Sequence, residues 1–157
     1  MMLRATLLTA FWMTSAMTVH AEPPAARPAE VLTLQSRYDF QTTVARFKDA
    51  LAARGVTLFA DIDQSAAAAG AGMALRPTRL LLFGNPGAGT PVMAANPHAA
   101  LALPLRAVIW EDAQHATHID YEDVSATIGP RYGVDAALLA PLAATPALLR
   151  AVAGQAP

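Results

Sequence analysis

The 157-residue sequence contains no cysteine. That absence excludes thiol nucleophiles, thiolate metal centres and disulfide staples, so the folded chain must be held by its core. An excess of positive charge is also missing: 11 lysines and arginines stand against 12 aspartates and glutamates, for a formal net charge of −1. Without a basic footprint, nucleic acid is not expected as a partner. Large hydrophobic side chains are fewer than the 54% hydrophobic content implies, because much of that content is alanine. Alanine buries little area, so the apolar surface that matters sits in Leu, Val, Ile, Phe, Trp and Met.

Residues 1–21, MMLRATLLTAFWMTSAMTVHA, carry an early cation at Arg4, an uncharged stretch from Ala5 to Val19 and the small-residue site Val19-His20-Ala21. The pattern is that of a secretory signal peptide cleaved after Ala21. Threonine and serine dilute it too far for a membrane anchor, which needs about 20 strongly apolar residues. No membrane span is therefore expected once it is removed, and the expected compartment is periplasmic or secreted. Removal takes Arg4 from the 11 basic residues, leaving 10 against 12 acidic ones and a charge near −2. Residues 22–30, EPPAARPAE, read as an exposed tether, because proline forbids regular backbone hydrogen bonding there. A domain over 31–133 and a C-terminal helical extension over 134–157 complete the expected division.

Val31–Ser36 alternates apolar and polar residues, the pattern of a strand with one buried face. Asp39 then caps a helix to about Arg54, with Phe40, Val44, Phe47 and Leu51 on one face and Gly55 as its stop. Val56–Asp63 alternates as a second strand. Ser65 starts a short helical excursion that ends at Gly70 or Gly72. Arg79–Gly84 is a third strand, whose unbroken apolar run implies burial on both faces. One short helix is allowed between Pro91 and Leu103. Leu105–Trp110 and Thr117–Tyr121 flank the polar connection EDAQH as a hairpin. After Gly133 the composition is helical, divided by Pro141 and Pro146 into two short helices. The sum is an α+β fold: a curved, mostly antiparallel sheet of about five strands packed by a long helix. Its order is β-α-β-β-β-β-α with short helical insertions.

Gly84-Asn-Pro-Gly-Ala-Gly-Thr90 matches the glycine spacing of a Walker-type phosphate loop, but the lysine that would stand between Gly89 and Thr90 is absent. Its charge is the main stabiliser of a nucleotide triphosphate. Pro86 also deletes a backbone donor. The structural alternative is a turn: Asn85-Pro86 starts it, Gly87 and Gly89 supply positive φ, and Thr90 caps a helix that begins at Pro91. A middle reading leaves the amides of Gly89 and Thr90 free for a small anion or a substrate carboxylate.

Five segments carry a family resemblance in fixed order: GVTLFADID from Gly55, LRPT at Leu75–Thr78, FGNPGAGTPVM at Phe83–Met93, LALPLRAVIWED at Leu101–Asp112, and Tyr121. In these segments, which fall within Val31 to Tyr132, the chain resembles the family known as domain of unknown function 302. The resemblance implies a compact α+β domain able to form dimers, with no established activity. Many members have histidine after the aspartate that Asp63 matches. Gln64 stands there in this chain, so a ligand or base role for that histidine does not transfer.

Polar candidates remain. Asp61 and Asp63 share one strand face and suit a cation, a proton exchange, or more simply a solvated face or a cap. Arg76 has no amphipathic reason for its place and suits a bridge to Asp61 or Asp63, or a ligand anion. His115 and His118 differ by three and point to opposite faces of an extended strand, whereas His118 and Asp120 share one. Met93 with His98 is a soft-ligand pair near the loop, too few for a metal site, and a methionine in an apolar run more simply fills core. Ser15, Ser36, Ser65 and Ser125 lie outside any nucleophile-elbow pattern. Catalytic residues, metal ligands and cofactors are accordingly assigned as none. Asp61, Asp63, Arg76, Asn85, Gly89, Thr90 and Met93 are the candidate ligand-binding residues. The leading expectation is a non-catalytic module that binds an unidentified small molecule or an exported protein beside the Asn85–Met93 loop. The alternatives are an enzyme using Asp61, Asp63, Arg76 and the loop amides, and a metal or haem carrier using Met93 and the histidines.

Overall fold

The computed structural model describes residues 31–156; the expected signal peptide and tether lie outside the described residues. Five strands form a single antiparallel sheet in the order β1-β5-β4-β3-β2. They are β1 (Val31–Gln35), β2 (Thr57–Asp63), β3 (Thr78–Gly84), β4 (Leu105–Glu111) and β5 (Thr117–Glu122). This is the α+β sheet expected from the alternation of the strands.

Period-two alternation sorts the strand side chains between two faces. Leu81 and Phe83 of β3, Leu105, Ala107 and Ile109 of β4, and Ile119 and Tyr121 of β5 are buried on one of them. Helix α1 (Phe40–Ala52) covers that face, started by Asp39, whose side chain accepts from the Thr42 N–H. Its apolar stripe Phe40, Val44, Phe47 and Leu51 is buried, and Phe47 meets Phe83 edge to face at a centroid distance of 5.2 Å. Gly55, at φ 63°, supplies the left-handed turn into β2. Later helices complete the layer: α4 (Val124–Tyr132), α5 (Ala136–Leu139), a 3-10 turn at Ala140–Ala144 and α6 (Thr145–Val152). Leu139, Leu142, Leu148, Leu149 and Val152 join the same core. Arg46 ties α6 to α1, donating from Nε to Val152 O and from Nη2 to Ala151 O, both at 3.1 Å. The Arg37 N–H donates to Ala153 O at 2.9 Å.

Three expectations are corrected. The run in β3 is buried on one face only, since Leu80 and Leu82 are half-buried and no helix layer covers their side. The glycine segment is not a turn: α3 runs from Pro86 to Ala95, so Gly87 and Gly89 are helical and Pro91 lies inside the helix. Neither glycine has positive φ, and Thr90 caps nothing because Asn85 is the cap. Helix α4 went unread because Gly129 and Pro130 argue against a helix. Asp123 nevertheless starts it, its Oδ1 accepting from the Ser125 N–H at 3.1 Å, and Val124 and Ile128 bury its inner face. A smaller difference concerns α2 (Gln64–Gly70), which is capped by Asp63 rather than started by Ser65.

Phe47 is fully buried at the centre of this packing. Phe47→Ala is expected to destabilise the domain by about 3–5 kcal/mol, read from the midpoint shift in urea unfolding.

Candidate functional site

Strand β3 ends at Gly84 and α3 begins at Pro86, so Asn85 alone makes the corner. Its backbone is extended at φ −111° and ψ 116°. Its Oδ1 accepts from the Gly87 N–H at 2.8 Å, and its carbonyl oxygen accepts from the N–H groups of Ala88 and Gly89 at 3.0 and 2.9 Å. Pro86 has no N–H. The donors of the first turn are thus engaged or absent, which removes the usual reason for an anion to sit at a helix start. The reading of free amides at Gly89 and Thr90 is corrected accordingly: the Gly89 N–H is spent inside the helix, and Thr90 is exposed in the second turn.

The corner instead builds an apolar pocket of about 190 Å³. One wall comes from Gly84, Asn85, Pro86, Gly89 and Met93. The facing wall is Leu103 and Pro104, with Leu105 at the start of β4 and Leu142 from the C-terminal 3-10 turn. Phe59 closes one side. A register shift between Leu58 and Ala60 places an extra residue in β2 at this point. A Cβ on Gly84 would lie 3.7 Å from the Phe59 ring, so the bulge turns this phenyl group over the end of β3. A Cβ on Gly89 would stand 3.7 Å from Leu103 Cδ1. Glycine at 89 therefore keeps the space between α3 and Leu103 open.

Of the candidate residues, Asn85, Gly89 and Met93 come together here, while Asp61, Asp63, Arg76 and Thr90 are not part of the lining. The two aspartates belong to an ion network on the helix-covered side. Lys48 of α1 pairs with Asp61, and Arg79 reaches both carboxylates: its Nη2 donates to Asp63 Oδ2 at 2.8 Å and its Nε lies 3.2 Å from Asp61 Oδ1. The Nε contact lacks hydrogen-bond alignment. Arg79, not Arg76, is the bridging arginine. Asp63 Oδ1 also accepts from the Ala66 N–H at 2.9 Å and the Ser65 hydroxyl at 2.7 Å. These bonds, led by the Ala66 amide and followed by Ser65, with Arg79 adding to them, hold the Asp63 carboxyl below its ordinary value. The pair of aspartates is a cap joined to a bridge.

The histidines are similarly occupied. His115 sits in the β4–β5 turn at φ 63° and pairs with Glu111 at 2.7 Å. The His118 Nε2 lies 2.8 Å from Asp112 Oδ2, and its ring stacks on Trp110 at 4.5 Å. Asp120 accepts instead from the Trp110 indole N–H at 2.8 Å, so His118 and Asp120 share a face without bonding each other. His98 is exposed, while Met93 lines the pocket. Among the described residues no group of three His, Cys, Asp or Glu side chains converges as metal ligands would. Sequence reasoning missed Phe59, Leu103, Pro104, Leu105 and Leu142, and only the LPL segment carried a local signal for some of them.

A five-stranded antiparallel sheet covered on one face by helices, with an apolar pocket where β3 turns into α3, defines a small α+β domain. The chain belongs to the family described as domain of unknown function DUF302, which it matches over residues 32–152. Its fold is that of an uncharacterised conserved DUF302 protein from Bacillus stearothermophilus. That likeness has a TM-score of 0.65 at 19% identity and covers 79% of this chain and 95% of the other. The chain is also 34% identical over 111 residues to proteins named fluoride-specific ion channel FluC 1, from Brucella suis biovar 1 (strain 1330) and Brucella abortus biovar 1 (strain 9-941). The match covers 69% of this chain, and the chain spans less than half of each relative, 44% and 41%.

Because the folded value of Asp63 is lowered, its ionic contribution to stability is complete above the ordinary value of 3.8 and is lost as pH falls through the folded value. Asp63→Asn is expected to melt below the parent at neutral pH, and the two melting temperatures are expected to converge as the pH drops beneath 3.8. Thermal melts followed by circular dichroism across that range check this. A gap that stays constant would assign the loss to packing rather than to charge.

Proposed function

We propose that this chain is a non-catalytic module, acting in the periplasm or outside the cell, that binds a small apolar ligand in the pocket beside the β3–α3 corner. The observation that supports this most directly is the makeup of the walls: Phe59, Met93, Leu103, Pro104, Leu105 and Leu142 surround about 190 Å³, and Asn85 offers the one side-chain amide. Pockets with mostly apolar walls and few placed polar groups are the usual form of small-molecule sites. A dry cavity of similar size holds a benzene-sized guest. Asp61 and Asp63 are committed to Lys48, Arg79 and the start of α2, which argues against an enzyme built on them.

A second reading concerns the uncovered sheet face, favoured by its exposed apolar side chains. Val31 and Ile62, on the two edge strands of that sheet, are 60% and 42% exposed. A protein surface, either a second copy of this chain or a larger partner, would cover them. The fluoride-channel relatives point toward a partner at a membrane. No helix among the described residues is long and apolar enough to cross one, so conduction itself is not proposed for this chain.

Two measurements test these readings. Gly89→Leu places a side chain in the pocket at a helical position where glycine is worth up to about 1 kcal/mol less than an ordinary residue. The variant is expected to fold at least as stably as the parent and to lose the amide shifts that toluene produces at Gly84, Gly89 and Met93 in NMR titration. Parent shifts confined to Leu80 and Val108 would move the site to the open face. Native mass spectrometry of the gently purified exported chain is expected to give a mass beginning at Glu22. Twice that mass would support the second copy on the open face, and an uncleaved chain would overturn export.

A further inference from the structure

A second hollow adjoins the pocket on the helix-covered side. It measures about 120 Å³ and shares Gly84, Asn85, Leu105 and Leu142 with the larger one. The rest of its lining is Val56, Phe83, Ala88, Pro141, Ala144, Thr145, Leu148 and one charged residue, Arg54. No acidic side chain lines either hollow. The charge in this region is therefore of one sign and comes from Arg54 alone.

Arg54 follows the last turn of α1. Its Nη1 donates to Ala50 O at 3.1 Å, a contact that uses one of the five guanidinium N–H groups. Asn85 borders both hollows, and with its Oδ1 engaged by the Gly87 N–H, its amide NH2 is a second donor on the same border. Two donors, one of them permanently cationic, on the solvent-exposed rim of an apolar chamber match an acceptor group that is anionic and planar. The two hollows together only reach the lower end of the range for small-molecule sites, about 300–1,000 Å³. That size excludes a bulky polycyclic or a long-chain lipid.

On this basis, and resting on the reading of the pocket as a ligand site, we propose that the ligand class is a medium-chain carboxylate. Its carboxylate lies in the smaller hollow against Arg54 and Asn85, and its hydrocarbon tail lies between Phe59, Met93 and Leu103 in the larger one. Leu142 stands at the junction of the two and is carried on the short turn Ala140–Ala144, which starts without a side-chain cap. A ligand occupying both hollows would have to displace part of the lining they share, of which Leu142 is one residue.

Decanoate and decanol, which share a tail and differ in charge, separate the parts of this proposal. In calorimetric titration of the full exported chain, decanoate is expected to bind the parent at least about tenfold more tightly than decanol, the size of a charge-assisted hydrogen bond. Arg54→Gln is expected to abolish that preference while leaving decanol binding unchanged, and Arg54→Lys to retain part of it. The decanol control also shows that the variant still folds, since the Ala50 contact is lost as well. Equal binding of the two compounds by the parent, or a preference that survives Arg54→Gln, overturns the carboxylate assignment and leaves the pocket reading intact. Binding of neither compound by the parent overturns both.

Discussion

A five-stranded sheet that is covered on one face must place its whole core on that face. Here the burden falls on Leu81, Phe83, Ile109 and Ile119, all at or near zero exposure, and on the side chains laid over them from α1 and α6. Because alanine fills so much of the sequence, few large side chains are available for the task. Part of the supply comes from both ends of the described chain. Phe47 against Phe83 joins the first helix to the third strand, and Leu149 and Val152 bring the last helix onto the same layer. Among the described residues, two of the three buried polar ones satisfy each other, while the Thr117 hydroxyl has no partner. Ser36 and Thr43, both buried, bond each other at 2.7 Å, and Thr43 also donates to Asp39 O at 2.8 Å, which removes the penalty for burying two hydroxyls.

The pocket is a by-product of the same constraint. Where β3 passes directly into α3, the chain cannot place large side chains, since Gly84, Pro86, Gly87 and Gly89 crowd the corner. The neighbouring elements supply bulk on either side, but nothing fills the middle. Asn85 allows the abrupt change of direction by serving as the last extended residue and the first helix cap at once. A space of this kind needs no strained backbone. Its walls are held by elements that the core fixes for its own reasons.

Legibility in the sequence followed the range of the interactions. Helix α1 could be read because Asp39, the Phe40–Leu51 stripe and Gly55 all carry the same local message. The strands could be read from alternation, and the hairpin from its short polar connection. Helix α4 could not, because Gly129 and Pro130 oppose a helix that only the burial of Val124 and Ile128 secures. The glycine segment misled for a related reason. Asn85-Pro86 signals a turn and a helix start equally well, and the choice is made by the bonds Asn85 forms with Gly87, Ala88 and Gly89. At the candidate site, Asn85, Gly89 and Met93 were legible because they lie on one segment. Phe59 depended on a bulge, Leu142 on the docking of a distant turn, and the choice of Arg79 over Arg76 on the register between β2 and β3.

The edge strand β1 has an unusual position between the two ends of the described chain. It enters at Val31 opposite Glu122 and leaves at Gln35 opposite His118. The far end of the chain returns to that exit, where Gln155 Nε2 donates to Gln35 O at 2.8 Å and Gly154 lies against the Tyr38 ring. Tension applied between the two ends therefore runs along the axis of β1 and loads its ladder to β5 in shear. All the rungs resist together, whereas a strand pulled from one corner would unzip them in turn. A domain wired in this way resists extension between the ends of its described chain more strongly than one loaded at a corner.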